Sequence, residues 1–125
     1  MKLIGLDHIV LCVEDVERTL AFYREALGMQ PREDCPGKWS LFFGASKISL
    51  QDAKSVPDIA RNTVPGSGNF CILTEEPIEG VVTVLRRLGV DIVAGPAERD
   101  GATGRLLSVY FRDPDGNLVE LSNRL

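Results

Sequence analysis

The 125-residue chain is poor in the residues that most often build metal centres and covalent frameworks. It has a single histidine, His8, and three cysteines, none of them in a Cys-x-x-Cys pair. An odd number of widely spaced cysteines argues against a disulfide framework and against a zinc knuckle. One histidine excludes an iron site made of two histidines and a carboxylate from a single chain. We therefore expect reduced thiols and a cytoplasmic protein.

The chain also lacks long apolar runs and an excess of positive charge. No apolar stretch approaches the roughly 20 residues that a membrane helix needs. Residues 1–7 reach an acid before any stretch of signal-peptide length. The 14 basic and 18 acidic residues give a formal net charge of −4. Because a negative protein lacks the field that attracts nucleic acids and anionic bilayers, we expect neither as a partner.

What the chain does have is the ordinary composition of a globular domain, with 44% hydrophobic and 26% charged residues. A chain of this length buries around two thirds of its unfolded surface, so it needs no metal or disulfide to hold its core. Domains of roughly 100–150 residues are the commonest. The sequence therefore predicts one domain that spans residues 1–125.

The first half of the chain predicts one strand, one helix and three further strands. Residues 6–13 are rich in Ile, Val and Leu, as strands are. Asp15 can cap a helix by accepting bonds from the amide groups of its first turn, and Gly28 can end that helix in the left-handed conformation. The three extended segments that follow lie at residues 29–33, 39–43 and 47–51.

The second half repeats this order after a connector at residues 52–68, where prolines and glycines interrupt the pattern. Residues 69–74 predict a strand, and Pro77 suits the first turn of a helix that ends at Gly89. Residues 95–104 predict a loop, either a cover for a site or a solvated connector. Extended segments lie at residues 90–93, 107–112 and 118–122, with a turn at residues 113–117.

This internal repeat predicts an α+β fold made of two paired βαβββ modules, residues 1–51 and residues 69–125. Because side chains alternate along a strand, apolar positions face the helix and the positions between them form a second face. Two curved sheets that meet edge to edge would enclose an open, barrel-like cleft lined by that second face. The helix-facing set comprises Ile9, Leu11, Ile48, Leu50, Phe70, Ile72, Val119 and Leu121. Polar residues of the second face include His8, Gln51, Asn69 and Glu120.

Several segments of the chain carry a resemblance to a known family. They include residues 6–11, the Leu-Gly-Met run at residues 27–29, and residues 110–121, which read Tyr-Phe-Arg-Asp-Pro-Asp-Gly-Asn-Leu-Val-Glu-Leu. Through them the whole chain resembles the vicinal oxygen chelate superfamily of glyoxalases, bleomycin resistance proteins and extradiol dioxygenases. The connector at residues 64–68 and the loop at residues 101–104 are most similar to those of small glyoxalase-domain proteins.

The resemblance implies a metal site built from the first and last strands of the modules. Carried over by position, the ligand positions are His8, Gln51, Asn69 and Glu120. Of these, the predicted ligands are His8, Gln51 and Glu120, for a divalent ion such as nickel, zinc, manganese or iron. His8 and Glu120 match the superfamily pattern, whereas Gln51 stands where glyoxalases usually have glutamate. Asn69 stands where histidine is common. Because uncharged amides are weak ligands for the softer metals, we group Asn69 with the substrate-binding residues.

The remaining candidates concern proton transfer and charge. Glu120 is the candidate catalytic residue, both as ligand and as proton-transfer base; its alternative is an edge-strand carboxylate that faces water. Arg105 and Arg112 are candidates for binding an anionic substrate, with surface solvation as the alternative for each. Cys12 and Cys71 lie on the second face without a base other than His8, so we expect them to pack rather than react.

These expectations support two classes of function. A small metalloenzyme of the glyoxalase type, a lyase or isomerase, would bind the adjacent oxygens of a small substrate and move a proton next to a carbonyl. A metal-free protein of the bleomycin resistance type would instead sequester a ligand, and the amides of Gln51 and Asn69 favour this alternative. The single histidine disfavours a ring-cleaving dioxygenase. The resemblance further implies a symmetric homodimer, in which modules of two chains can complete each cleft.

Overall fold

A computed structural model describes residues 1–55 and 60–125 of the chain. These residues form two compact units, Met1–Gly66 and Ser67–Leu125, each with one helix and one four-stranded mixed sheet. The predicted α+β class and the two βαβββ modules are confirmed, and each described sheet is open. Part of the predicted connector, residues 56–59, lies outside the described residues.

The first unit has the strand order β1-β4-β3-β2, with β1 parallel to β4 and the other pairs antiparallel. Its helix begins as predicted, because the Asp15 side chain accepts a hydrogen bond from Arg18 N at 3.0 Å. It ends at Gly28, which has a left-handed φ of 69°. The elements are β1 (His8–Val13), α1 (Val16–Leu27), β2 (Gln30–Cys35), β3 (Lys38–Phe43) and β4 (Ser46–Asp52).

The core of the first unit lies between α1 and its sheet. Tyr23 of the helix is buried, as are Leu41 of β3 and Ile48 of β4. Ile9 pairs with Ile48 and Leu11 with Leu50, so the apolar residues share the helix-facing side as predicted. The alternate residues of each strand, among them His8, consequently lie on the other face of this sheet.

The second unit has the strand order β5-β8-β7-β6, with β5 parallel to β8. Its helix starts directly after Pro77, one residue later than predicted, and no side chain at Pro77 caps it. Among the described residues, neither helix combines the length and apolar character that a bilayer crossing requires. The elements are β5 (Asn69–Leu73), α2 (Ile78–Arg87), β6 (Ile92–Gly101), β7 (Gly104–Arg112) and β8 (Leu118–Arg124).

The prediction of a loop at residues 95–104 is wrong, because β6 and β7 form a long antiparallel hairpin there. Glu98 pairs with Leu107 and Asp100 pairs with Arg105. The register shifts near Ala94, so the strand accommodates the Gly-Pro sequence at residues 95–96 and then resumes its pairing. Pairing with β7 therefore overrides the glycine, proline and charge of this segment, so most of it is strand rather than loop.

Candidate functional site

A row of side chains crosses the first sheet at the level of His8. His8 lies opposite Lys47 in the register, and Lys47 lies opposite Phe42 of the next strand. His8 Nδ1 is 2.6 Å from Asp7 Oδ1, which leaves Nε2 as the ring nitrogen that can meet a ligand. A carboxylate bonded to the second ring nitrogen is the usual arrangement at metal-binding histidines, so this contact fits a metal role for His8.

Lys47 is held beside His8 by an ion pair with Asp34. Lys47 Nζ lies 3.2 Å from Asp34 Oδ2, and both side chains are partly buried. The Ser40 hydroxyl also donates to Asp34, and Ser40 Oγ lies 3.2 Å from Ser49 Oγ. The hydrogen bond from Ser40, followed by the bond and charge of Lys47, holds the pKa of Asp34 below its ordinary value, although burial opposes this shift.

The Phe42 ring and two cations beside it, Arg32 and Lys47, form a flat, positively charged surface on the same face, the Arg32–Phe42 platform. The Arg32 guanidinium lies 4.7 Å from the centre of the Phe42 ring, and Lys47 Nζ lies 5.6 Å from it. Arg32 also donates to the Gln30 side-chain oxygen at 3.1 Å. Because the Arg32 partner is a neutral amide, its positive charge stays available to an anionic, planar ligand.

Gln51 lies further from His8 than the predicted ligand set requires. Gln51 pairs with Cys12, whereas His8 pairs with Lys47, four residues before Gln51. At about 3.3 Å per residue, this offset separates the two positions by roughly 13 Å along the strand. The first sheet therefore does not bring His8 and Gln51 together.

In the second unit, Glu120 lies at the centre of a polar network. Glu120 is opposite Cys71 on one side and Tyr110 on the other. The Ser122 hydroxyl donates to Glu120 Oε1 at 3.3 Å, and the Tyr110 hydroxyl also hydrogen-bonds to Glu120. Burial raises the pKa of Tyr110, and the bond to Glu120 raises it further, so Tyr110 stays protonated and donates to the carboxylate.

Two buried serines extend this hydrogen-bond network. Ser108 and Ser122 are fully buried, and their hydroxyl oxygens lie 2.7 Å apart between β7 and β8. Ser122 Oγ also lies 3.2 Å from Cys71 Sγ. Burial raises the pKa of the Cys71 thiol, and the nearby charge of Glu120 acts in the same direction. The thiol therefore stays neutral near neutral pH.

Arg99 is the site-face residue that the sequence analysis missed. It pairs with Leu106, so it shares a face with Tyr110 and Glu120. Its guanidinium lies 5.5 Å from the centre of the Tyr110 ring. The error follows from treating residues 95–104 as a loop. The acids at positions 98 and 100 and the arginine at 105 were the available signal, since opposite charges often pair across strands.

The two arginines predicted to bind substrate, Arg105 and Arg112, lie on different faces of β7 and have different hydrogen-bond partners. Arg105 lies opposite Asp100, on the side of β7 away from Tyr110, and donates to Asp100 Oδ1 at 2.8 Å and Glu98 Oε2 at 2.7 Å. The bond to Glu98, then that to Asp100, raises the pKa of Arg105. Arg112 shares the face of Tyr110 and donates to a backbone carbonyl, Gly116 O, at 3.0 Å. Arg112 therefore keeps its charge on the site face, while Arg105 is neutralised away from it.

Asn69 and Glu120 do lie near each other in the second sheet. Asn69 pairs with Leu118, two residues before Glu120, so the two side chains are diagonal neighbours on one face. By the same count, the residue diagonal to His8 in the first sheet is Ser49, which pairs with Val10. Ser49, rather than Gln51, thus has the position in the first sheet that Glu120 has in the second.

The turn at residues 113–117 fixes this register. Asp113 is buried and its carboxylate accepts bonds from Asn117 N at 2.9 Å and Asn117 Nδ2 at 2.8 Å. Asn117 Oδ1 accepts from Gly68 N at 2.7 Å, and Leu118 N donates to Gly68 O at 2.9 Å. The turn therefore ties the beginning of β5 to the beginning of β8, which sets Asn69 beside the strand of Glu120.

The donors predicted for a metal are the His8 imidazole, the Glu120 carboxylate and the side-chain amides of Gln51 and Asn69. Within residues 1–55 and 60–125, no three His, Cys, Asp or Glu side chains group as they would around an ion. His8, supported by Asp7, and Glu120, supported by two hydroxyls, are nevertheless ligand types that divalent transition metals accept.

The glyoxalase/bleomycin resistance protein/dioxygenase superfamily model matches residues 5–121. The chain belongs to this superfamily. This confirms the resemblance identified in the sequence. The members include glyoxalases, metallothiol transferases and bleomycin-binding proteins, which share the fold and differ in what they do.

Individual relatives support the same assignment. Virulence protein STM3117 of Salmonella typhimurium is 45% identical over 119 residues, which are 94% of this chain and 82% of that protein. Its crystal structure matches with a TM-score of 0.96, at 41% identity and complete coverage of both chains. The glyoxalase domain-containing protein RDO1 of Mycosarcoma maydis is 40% identical over 95% of this chain and 68% of its own. Metallothiol transferase FosB of Shouchella clausii is 27% identical over 94% and 78% of the two chains.

Proposed function

We propose that the protein is a glyoxalase-type metalloenzyme that moves a proton next to a carbonyl in a small anionic substrate with adjacent oxygens. The observation that carries the proposal is the setting of Glu120. This half-buried carboxylate accepts hydrogen bonds from Ser122 and Tyr110, which orient it on the polar face of its sheet. An oriented carboxylate within hydrogen-bond reach of a substrate can serve as the base for proton transfer.

The proposed metal ligands are His8, Glu120 and Gln51, for nickel, zinc, manganese or iron. A bound divalent cation would supply Lewis-acid polarisation of the adjacent substrate oxygens. The Asp7 carboxylate contacts Nδ1 of His8 and orients the ring. Because the strand register separates Gln51 from His8, Asn69 is the alternative amide ligand, and the variants below distinguish the two.

Other residues of the chain would bind and orient the substrate. Arg99 and Arg112 carry positive charge on the face of Glu120 and suit an anionic group of the substrate. Tyr110 keeps its proton and holds the carboxylate of Glu120 by donating to it. Arg105 stays a predicted substrate-binding residue, although its two ion pairs already satisfy its charge. We further propose one functional domain over residues 1–125, a homodimer and a cytoplasmic location.

Metal analysis of protein purified without a histidine tag tests the proposal. We expect a stoichiometric divalent metal that is lost in His8→Ala and in Glu120→Ala. Glu79→Ala removes an exposed glutamate on α2 and is the matched control that keeps the metal. Gln51→Ala and Asn69→Ala show which amide contributes. A full metal content in both His8→Ala and Glu120→Ala would rule out this site.

Ligand sequestration is the second candidate, and the Arg32–Phe42 platform favours it. A flat ring flanked by positive charge on the face of His8 suits an aromatic, anionic ligand without any metal. Protein free of metal that binds such a ligand tightly, and loses it in Phe42→Leu, would support sequestration over catalysis. Unchanged ligand binding in Phe42→Leu would argue against the platform.

A further inference from the structure

Asp34 adds a negative charge to the cations of the Arg32–Phe42 platform. Asp34 Oδ2 lies 3.2 Å from Lys47 Nζ, and Lys47 Nζ lies 5.6 Å from the centre of the Phe42 ring. A ligand that reaches Lys47 from the side of the ring therefore also meets the field of Asp34. Arg32, Lys47 and Asp34 together have one net positive charge, whereas the two cations alone would have two.

A buried serine on the neighbouring strand holds the Asp34 carboxylate in place. Asp34 lies on β2 and Ser40 lies on β3. Ser40 is fully buried, and its hydroxyl donates to Asp34 Oδ2. A hydroxyl that donates to a carboxylate favours the charged form of that carboxylate. The negative charge beside Lys47 is therefore oriented by the sheet and does not depend on a mobile side chain.

Both cations of the platform have hydrogen-bond donors left for a ligand. A guanidinium has five N–H donors and an ammonium has three. Gln30 accepts from Arg32 at 3.1 Å, and Asp34 accepts from Lys47 at 3.2 Å. A planar carboxylate can accept two parallel bonds from a guanidinium, and an aromatic ring can stack on a guanidinium plane. These donors and this shape suit an aromatic carboxylate.

We propose that Asp34 is a specificity-determining residue of the platform, which selects an aromatic carboxylate with one negative charge over an aromatic phosphate with two. The first charge of the ligand pairs with Arg32 and Lys47. A second charge would be repelled by Asp34, which already neutralises Lys47. The inference rests on the ligand-binding role of the platform in the second candidate function, and it requires no metal.

The other charged residues of this face do not supply the second positive charge. Lys38 is four residues before Phe42 on β3, which separates the two positions by roughly 13 Å along the strand. His8 lies opposite Lys47, and its Nδ1 is 2.6 Å from the Asp7 carboxylate. A protonated His8 would therefore have its own counter-ion. The charge preference of the platform consequently depends on Asp34.

Isothermal titration calorimetry of the full chain with 2-naphthoate and 2-naphthyl phosphate tests the inference. The two probes share one ring system, and at pH 8 the phosphate has two charges because its second pKa is about 6. A chelator in the buffer keeps metal from binding the phosphate. We expect the wild type to bind 2-naphthoate about tenfold or more tightly than 2-naphthyl phosphate. Asp34→Asn keeps an oxygen that can accept from Ser40, and it should lower this preference by about tenfold or more.

Glu33→Gln is the matched control, because it removes one negative charge from the adjacent residue of the same strand. Glu33 pairs with Trp39, so it lies on the opposite face of the sheet from Ser40. This variant should keep the preference of the wild type. Arg32→Gln should weaken the binding of both probes, which would place them on the platform. Circular dichroism and urea unfolding verify the fold of each variant.

The remaining outcomes separate failure of the inference from failure of the proposed function. An unchanged preference in Asp34→Asn, or an equal change in Glu33→Gln, would overturn the role of Asp34 and leave the platform as a ligand site. Binding that Arg32→Gln does not weaken would place the probes elsewhere and overturn the inference. A wild type that binds neither probe would overturn both the inference and ligand sequestration, while metal analysis would still test the metalloenzyme.

Discussion

Ser108 and Ser122 show how a pair of small residues holds a polar face together. Both are fully buried, and Ser122 contacts Ser108, Cys71 and Glu120 at once. A buried hydroxyl that loses its partner costs about 1–3 kcal/mol, whereas removing both members of a pair can be nearly neutral. The effects of substituting these two serines should therefore not add.

We predict that Ser122→Ala lowers the free energy of unfolding by about 1–3 kcal/mol, because it leaves Ser108 buried without its bond. The double variant Ser108→Ala/Ser122→Ala should be no less stable than Ser122→Ala alone. Urea unfolding of the two single variants and the double variant measures this coupling. Additive losses would mean that the two hydroxyls act independently.

Asp34 makes stability depend on pH in the acid range. Its folded pKa lies below the ordinary value of 3.8, so its stabilising effect is present above that pH and is lost as the pH falls through the folded value. We predict that the stability gap between wild type and Asp34→Asn is largest near neutral pH and narrows below pH 3.8. Asp91→Asn, at an exposed aspartate, is the control. A gap that does not change with pH would contradict this assignment.

At the scale of elements, α2 depends on a side chain from β8. Pro77 offers no capping side chain, and Asn123 Oδ1 accepts from Ile78 N at 2.9 Å instead. Asn123 Nδ2 also donates to Thr74 O at 2.8 Å and Glu76 O at 2.9 Å. One amide thus begins the helix and fixes the chain that leads into it.

We predict that Asn123→Ala lowers the free energy of unfolding by more than Asp15→Ala does. Asp15→Ala removes the local cap of α1, which should lower that free energy by about 1 kcal/mol. The reason is that Asn123→Ala breaks three hydrogen bonds of a partly buried amide, whereas Asp15→Ala breaks one exposed bond. Urea unfolding of both variants compares them. Equal losses would show that α2 finds other partners for its first amide groups.

The sequence predicted those elements whose signals are local. Asp15 and Gly28 bound α1 through bonds within a few residues, and the turn at residues 113–117 follows from its own asparagine, glycine and aspartates. The segment at residues 95–104 failed because its conformation is decided by pairing with β7, and its composition does not reveal a partner strand. Arg99 was missed for the same reason.

At the scale of the whole molecule, metal binding should appear as stability. An ion that binds only the folded chain adds about 2.7 kcal/mol at one hundred times its dissociation constant. We predict that added nickel or zinc raises the unfolding midpoint of the wild type, and that His8→Ala and Glu120→Ala each abolish this rise. Glu79→Ala should keep it. Thermal scans with and without a chelator check this, and a rise that survives both substitutions would contradict the ligand set.

The superfamily and the polar faces could be predicted because they follow from motif and alternation. His8, Asn69 and Glu120 lie on the faces expected of them. The predicted correspondence between the two modules differs from the strand register by two residues, since a two-residue turn joins β3 to β4 whereas residues 113–117 join β7 to β8. Turn length cannot be read from strand composition, and that Gln51 is a metal ligand stays a prediction. That His8 and Glu120 share a metal stays a prediction.

The hydrogen bond from Gly68 N to Asn117 Oδ1 has a consequence for how such a protein can diversify. This contact holds the start of β5 beside the start of β8. Along each strand, successive side chains point to opposite sides of the sheet. Val119 and Leu121 are buried in the core, whereas Glu120, between them, lies on the other side of the sheet. A lineage built on this scaffold can acquire new chemistry at position 120 while Val119 and Leu121 keep the core, provided that Ser122, buried on the same side as Glu120, keeps its hydrogen bonds.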